Sequence, residues 1–234
     1  RDLVRSRGLG DVYKRQSNMK FICNKDTILS VVQTTSKAAA GKSSIQALEG
    51  ILMELEGNTL TVTGYDLDIG IKTSIDVEGI ESGNIVISAK MAVDIIRKMP
   101  SGSITFECSG NNLAEITNNM TSFSVSCSSA DDYPNVPQVN PDTSFTMPQK
   151  LLKSMIIQTK FAVAVVDSKP ALMGCKFELE NNVLSVAAVD GVRIALRQEP
   201  VAYDNISFIV PAKTLEELTH IPVSYTHLRA HETV

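Results

Sequence analysis

Apolar residues recur along this chain with two different periods. Alternation by two runs through Ile69, Ile71, Thr73, Ile75 and Val77, with Gly70, Lys72, Ser74 and Asp76 between them, and again through Phe123, Val125 and Cys127 among serines. Such alternation predicts antiparallel strands with one buried face. Turn-forming residues at Glu56-Gly57-Asn58, Ser109-Gly110-Asn111-Asn112, Asn118-Asn119 and Asn181-Asn182 separate apolar runs, so successive hairpins are expected. Helical spacing occurs in four stretches. Ile28, Leu29 and Val32 follow a cap at Asn24 or Asp26; Val93, Ile96 and Met99 follow Ser88; Leu151, Leu152, Met155, Ile156 and Thr159 follow Pro148; Leu215 and Leu218 follow Pro211. Between Asp131 and Asp142 stand Pro134, Pro137 and Pro141 with little periodicity, which reads as a connection between domains.

The pattern repeats. Gly57-Asn-Thr-Leu-Thr-Val-Thr-Gly-Tyr-Asp66 matches Asn181-Asn-Val-Leu-Ser-Val-Ala-Ala-Val-Asp190 at an offset of 124 residues. Ile85-Val-Ile-Ser-Ala-Lys90 matches Phe208-Ile-Val-Pro-Ala-Lys213 at an offset of 123, and Ile28-Leu29 meets Leu151-Leu152 at the same spacing. Matches in one order imply a duplicated domain. Each copy is expected to run strand, helix, several strands, strand, helix, several strands, with the second copy ending at its second helix. Leu60 and Leu184, and Lys90 and Lys213, are expected at equivalent topological positions.

The two ends lack this patterning. Residues 6–16 resemble a translated transposon-end sequencing adapter, and 223–233 resemble the same adapter read from its other strand. Both ends therefore read as scars to be set aside. The expected organisation is 1–18 adapter, 19–142 first domain, 143–222 truncated second domain and 223–234 adapter. Without the ends, sixteen basic and twenty-three acidic residues remain, a net charge of -7, and His220 is the one histidine left.

Composition narrows the class. The chain has 234 residues, 43% hydrophobic and 21% charged, which excludes a disordered chain, and no apolar run reaches the length of a membrane span. Four cysteines (Cys23, Cys108, Cys127 and Cys175) show no metal-like spacing and read as core thiols of a reduced, cytoplasmic protein. No Gly-x-Ser-x-Gly, His-Glu-x-x-His or complete phosphate loop is present; Ala40-Gly41-Lys42-Ser43 has only the tail of one. Asp66 and Asp68, at i and i+2 of a strand, would share a face as a solvated pair or a metal pair. No catalytic residue, metal or cofactor is assigned.

Charge is distributed by element. Helical windows at 25–42, 88–99, 148–169 and 211–220 hold eleven basic and five acidic residues, whereas the rest of 19–222 holds five basic and eighteen acidic. Solvated lysine faces explain basic helices, and so does a surface that meets a polyanion. Three classes remain open on residues alone: a polyanion-binding protein, a repeat-built interaction protein without a DNA role, and an enzyme of unrecognised type. The charge partition favours the first over the second, and the missing catalytic constellation disfavours the third.

Five segments then carry a resemblance. Thr63-Gly64-Tyr65-Asp66-Leu67-Asp68, Arg97-Lys98-Met99-Pro100-Ser101-Gly102, Ala130-Asp131-Asp132-Tyr133-Pro134-Asn135, Val189-Asp190-Gly191-Val192-Arg193-Ile194 and Phe208-Ile209-Val210-Pro211-Ala212-Lys213 resemble, in order, the bacterial DNA polymerase III beta subunit family. The resemblance spans 19–222. It implies an α+β DNA-clamp fold of repeated domains, with antiparallel sheets outside and basic helices lining a DNA channel. Two three-domain subunits would close head to tail, and this chain matches the first domain and a little over half of the second. The implied role is a processivity factor without an active site of its own. Its implied partners are double-stranded DNA, held by sequence-independent phosphate contact, and the replicative polymerase and clamp-loader subunits, held through short peptide motifs. Homodimerisation at full length, no membrane contact and a cytoplasmic location complete the expectation.

Family positions place Lys42, Lys90, Arg97, Lys169 and Lys213 facing DNA, and helix position alone adds Lys150, Lys153 and Lys160. Leu172, Val189, Gly191, Val192, Arg193 and Ile194 match one wall of the family's apolar peptide cleft. Its apolar members would also suit a strand core, and the other wall belongs to a third domain.

Overall fold

The alternating stretches pair into two antiparallel sheets in the computed structural model, which describes residues 18–110, 112–137, 145–166, 169–202 and 205–220. Of the proposed adapter residues 1–18 and 223–234, Asn18 is the one described, and residues 221–222 also lie outside the described ones. The chain divides into two compact units between Val136 and Pro137.

The first unit runs β1 (Asn18–Asn24), α1 (Lys25–Thr35), β2 (Gly50–Glu56), β3 (Thr59–Tyr65), β4 (Gly70–Asp76), β5 (Glu78–Glu81), β6 (Gly83–Ser88), α2 (Ala89–Lys98), β7 (Ser103–Ser109), β8 (Leu113–Asn118) and β9 (Thr121–Ser128). Its nine strands are ordered β4-β3-β2-β6-β9-β8-β7-β1-β5. The edge strands β4 and β5 are separated in the chain by Val77 alone, so the sheet must curl back on itself. Asn24 starts α1 because its side-chain oxygen accepts the amide of Asp26 at 2.8 Å. Ile28, Val31 and Val32 of α1 and Ala92, Val93 and Ile96 of α2 then enter one core with Leu60, Val62, Ile85, Ile87 and Phe106. Phe21 and Phe106, paired across β1 and β7, stack at 5.1 Å. Burying each such side chain contributes about 1.5–3 kcal/mol.

The second unit runs α3 (Gln149–Thr159), β10 (Gly174–Glu180), β11 (Val183–Val189), β12 (Ile194–Pro200), β13 (Ile206–Pro211) and α4 (Ala212–His220), with strand order β12-β11-β10-β13. This order repeats β4-β3-β2-β6. The register repeats too: Leu55 faces Leu60 as Leu179 faces Leu184, and Thr59 faces Asp76 as Val183 faces Pro200. Lys90 and Lys213 are each the second residue of their helix. The equivalences expected for Leu60 and Leu184 and for Lys90 and Lys213 therefore hold, but α1 and α3 correspond with Lys25 at Gln149 and Thr35 at Thr159, so Ile28 meets Leu152 and not Leu151 as the sequence match pairs them.

Local hydrogen bonds repeat with the same spacing. Thr35 and Thr159, both buried in the last turn of a helix, donate to the carbonyls of Val31 and Met155. Asp66 Oδ1 accepts the amides of Asp68 and Ile69, and Asp190 Oδ1 accepts those of Val192 and Arg193. The second residue of each turn has positive φ, 78° at Leu67 and 86° at Gly191.

Three expectations need correction. The helices end sooner than their windows: α1 stops at Thr35 and α3 at Thr159, each followed by a short 3-10 turn. The stretch from Asp131 is not wholly a connection, because Tyr133 is buried, donates its hydroxyl to Thr63 O at 3.3 Å, and Val136 occupies space that a Cβ on Gly70 would fill. Residues 138–144 lie outside the described ones. No strand precedes α3 among the described residues; β1 is held by β7, whose counterpart in the second copy would fall beyond His220.

Candidate nucleic-acid interface

Both helices of each unit lie on the core-facing side of their sheet, so their outer surfaces present the polar side chains that the core rejects. On α2 these are Lys90, Arg97 and Lys98, all exposed, with Asp94 3.8 Å from Arg97. Helical spacing puts positions 90, 94 and 97 on one stripe. Lys98 was not singled out from the sequence, although Arg97-Lys98 stands in one of the family segments. On α3, Lys150 and Lys153 are exposed one turn apart. Lys213 is exposed near the start of α4.

Three of the proposed cations lie off the helices. Lys42 is exposed in the loop after α1, and Lys169 is exposed at the residue preceding the 3-10 turn Pro170–Met173. Lys160, in the turn after α3, is half-buried and its ammonium is paired with Glu216 of α4. That pair joins the turn after α3 to α4, so Lys160 has a structural bond to break before it could serve another anion.

The expected charge partition shifts accordingly. The four observed helices hold seven basic and four acidic residues, against the eleven and five of the wider windows. Lys37, Lys42, Lys160 and Lys169 belong to the segments that follow helices, and α4 carries Glu216 and Glu217 against Lys213. The basic surplus is thus shared between helices and the turns after them, because a helix end leaves room for a long cation to reach solvent.

Five of the six residues of the second proposed site, Val189 and Gly191–Ile194, lie at the β11–β12 turn, and Leu172 stands in the 3-10 turn Pro170–Met173 before β10. Leu172 and Val189 are half-buried, and the carbonyl of Leu172 accepts the amide of Ala164 at 2.9 Å. Gly191 supplies the positive φ, while Val192 is 95% and Ile194 76% exposed. Leu196 and Met173 extend this exposed apolar set and were missed from the sequence. The signal was available in the repeat: Met173, Val192, Ile194 and Leu196 stand where the first unit has Glu49, Asp68, Gly70 and Lys72. Arg193 turns the other way. Its Nε donates to Asp190 Oδ2 at 2.7 Å, and its guanidinium carbon lies 5.9 Å from the centroid of Phe161, in the turn after α3. The Arg193 amide and then its guanidinium hold the Asp190 carboxyl below the usual carboxylate range.

Chemistry is otherwise sparse. Asp66 and Asp68 sit in the β3–β4 turn rather than in a strand, and Asp66 is engaged by two backbone amides, so they do not form a paired face. No cluster of His, Cys, Asp and Glu suited to a metal occurs among the described residues. All four cysteines are buried, and burial pushes the Cys23 and Cys127 thiols up to about 12, which keeps them protonated near neutral pH. Among the described residues no helix is long and apolar enough to cross a membrane.

Comparison with known proteins gives consistent matches over both units. Residues 19–137 match the family model described as DNA polymerase III beta subunit, N-terminal domain, and residues 146–227 match that of its central domain. The chain is similar to the Beta sliding clamp of Halalkalibacterium halodurans, 33% identical over 216 residues that make up 87% of this chain and 57% of the relative. The Beta sliding clamp of Bacillus subtilis is 31% identical over 214 residues, with 87% and 57% covered. Among solved structures, a putative DNA polymerase III beta subunit from Eubacterium rectale aligns with TM-score 0.84 and 34% identity, covering 87% of this chain and 56% of that one. The DNA polymerase sliding clamp from Bacillus subtilis aligns with TM-score 0.84 and 30% identity, covering 88% and 57%. The chain thus spans little more than half the length of these relatives.

Proposed function

Because the chain belongs to the DNA polymerase III beta subunit family, we propose that it forms the first and part of the central domain of a DNA sliding clamp, a non-catalytic processivity factor of the replicative polymerase. The observation that carries this reading is the repeat itself. One sheet topology occurs twice, with exposed cations on the helix-bearing side each time. A ring built from such repeats holds DNA because leaving requires opening an interface. Its inner surface then needs only weak phosphate attraction that is indifferent to sequence and permits sliding. Flexible lysines serve this purpose as mobile point charges.

The residues assigned to that surface are Lys42, Lys90, Arg97, Lys150, Lys153, Lys169 and Lys213, with Lys160 contributing once released from Glu216. Head-to-tail dimerisation at full length is a heterologous contact that closes because the rotation between subunits closes. The exposed apolar residues around the β11–β12 turn form one wall of a cleft for short peptides of the polymerase and clamp-loader subunits. The first unit supports this assignment as an internal control, since the same fold carries Glu49, Asp68 and Gly70 at these positions without needing apolar ones. The work is done in the bacterial cytoplasm, on the chromosome.

Retention on circular DNA at high salt tests the topological reading. A version extended to the relatives' length, once loaded, should stay on a closed circle and leave when the circle is cut. The chain of 234 residues should be lost from both. Salt-resistant retention of the short chain, or of the extended one on linear DNA, would contradict encirclement.

A further inference from the structure

Cys108 of β7 and Cys127 of β9 bring their sulfurs to 3.3 Å from each other inside the core of the first unit, one thiol donating to the other. Strand pairing explains the contact. Cys108 faces Ala114 of β8, and Cys127 lies one residue past the β8–β9 ladder, where its amide donates to Asn112 O at 2.9 Å and the residue pairs with Ile87 of β6. The buried side chain of Ala114 is small enough to leave both sulfurs room to meet. Charged side chains on the neighbouring strands, Lys20, Glu107 and Glu115, alternate to the opposite face, and Lys20 pairs there with Glu107. The other two cysteines are buried as well, but differently placed. Cys175 meets the Thr159 hydroxyl at 3.9 Å, and Cys23 has no thiol neighbour among the described residues.

Two sulfurs already in contact need little movement to bond, since a disulfide holds them at about 2.05 Å. Exposure of 9% at Cys127 and 3% at Cys108 leaves a path for a small uncharged molecule and none for a bulky, charged disulfide reagent. We infer that Cys108 and Cys127 form a modification site, a dithiol that hydrogen peroxide, a small neutral two-electron oxidant, converts to a reversible disulfide tying β7 to β9. In the first step one sulfur, as its thiolate, attacks a peroxide oxygen. An S–O bond forms, the O–O bond breaks, and the departing hydroxide takes up a proton to become water, leaving a sulfenic acid. The neighbouring sulfur then attacks the sulfenic sulfur. The S–S bond forms, the S–O bond breaks, and the hydroxyl leaves with that thiol's proton as a second water. Each sulfur is oxidised by one electron and the peroxide is reduced to two waters. Contact before the reaction decides the product, because a sulfenic acid held against a thiol condenses with it before a second peroxide arrives, whereas a solitary one goes on to the sulfinic acid. Burial keeps the Cys127 thiol protonated near neutral pH, so the first step is slow and the pair answers to sustained exposure. The new bond fastens the end of β9, which meets β6 through two residue pairs, Val86 with Ser128 and Ile87 with Cys127. None of this depends on the DNA reading above.

The test exposes the full, reduced chain to hydrogen peroxide without denaturant, then blocks the remaining thiols with iodoacetamide in urea and maps the peptides by mass spectrometry. Cys108 and Cys127 should be recovered as one cross-linked pair, lighter by two hydrogens, and dithiothreitol should return both to thiols. Cys23 and Cys175 should stay open to alkylation, reacting at least about tenfold more slowly than the pair. Survival of Cys23 also shows that the folded unit reacted. The same peroxide treatment in urea gives the reference for the unfolded chain and should consume all four thiols at similar rates. Oxidised glutathione, too large to enter, should leave all four unchanged in the folded chain. Sulfinic acid at Cys127 beside an unchanged Cys108, or loss of Cys23 as fast as the pair, would overturn the inference. So would two unchanged thiols after an exposure that fully oxidises the exposed Met120. Mixed disulfides with glutathione at Cys108 or Cys127 would overturn the preference for a small oxidant.

Discussion

The β3–β4 turn of the first unit and the β11–β12 turn of the second share a backbone but present opposite surfaces. Each is held by an aspartate that accepts two amides, and each places its second residue at positive φ. At and just after the first turn stand Asp68, Gly70 and Lys72; at and just after the second stand Val192, Ile194 and Leu196. The fold accepts either set, so stability of the turn does not require the apolar one. Exposed apolar side chains that the architecture does not demand are better explained by contact with something else. The helix-bearing sides differ less, since the second helix of each unit carries an exposed lysine at its second residue, Lys90 in one and Lys213 in the other. The comparison therefore separates what the repeated fold needs from what each copy has been put to.

The largest expected effect tests whether the cores are equivalent. Leu60 and Leu184 are fully buried and face Leu55 and Leu179 in the same register. Leu60→Ala and Leu184→Ala should each cost about 2–5 kcal/mol, measured by urea unfolding. Similar losses are expected if the two sites are equally packed. A loss well under 1 kcal/mol at one of them would break the equivalence.

A smaller effect should distinguish the two cores. A Cβ on Gly64 of β3 would lie 2.0 Å from the carbonyl oxygen of Thr35, at the end of α1. The equivalent residue of β11 is Ala188, which is buried with its Cβ in place. Gly64→Ala therefore has to move the end of α1, and overpacking of this kind costs about 1–3 kcal/mol. Ala188→Gly removes a methyl without strain and should cost less. Equal effects from the two substitutions would mean that the helices sit alike on their sheets.

The smallest effect concerns the turns. Leu67 occupies a left-handed conformation that Gly191 adopts freely, and an L-residue there is disfavoured by about 1–2 kcal/mol. Gly191→Leu should lower the unfolding midpoint, and Leu67→Gly should change it little, because relief of strain is offset by the extra freedom of glycine in the unfolded chain. A marked loss from Leu67→Gly would give the exposed Leu67 side chain a packing role that its surroundings do not suggest.

These pairs also explain what could be read without coordinates. Strands, hairpins and the offset of the repeat follow from residues that alternate or that tolerate turns, and both are local properties. Asn24 capping α1 is visible for the same reason. The end of α1 is not, because Ser36 and Lys37 suit a helix and the 3-10 turn after Thr35 is set by packing against β3 and β4. Tyr133 looked like part of a connection since its neighbours include prolines, yet its burial depends on the distant Thr63 carbonyl. On the candidate surfaces, the lysines of the helices were legible from their position, whereas two others owe their setting to three-dimensional partners. Lys160 meets Glu216 fifty-six residues later, and Arg193 folds back to Phe161 instead of joining Val192 and Ile194.

The central claim is that DNA meets the helix-bearing side of each unit and not the opposite sheet face. Lysine acetylation with and without duplex DNA, read residue by residue by mass spectrometry, tests this directly. The account predicts protection of Lys90, Lys150, Lys153 and Lys213, lost as salt is raised, with Lys72 of β4 and Lys176 of β10 acetylated equally in both conditions. Equal protection of Lys72 and Lys176, which project from the opposite face, or none at the four helix lysines under conditions where DNA is bound, would contradict it.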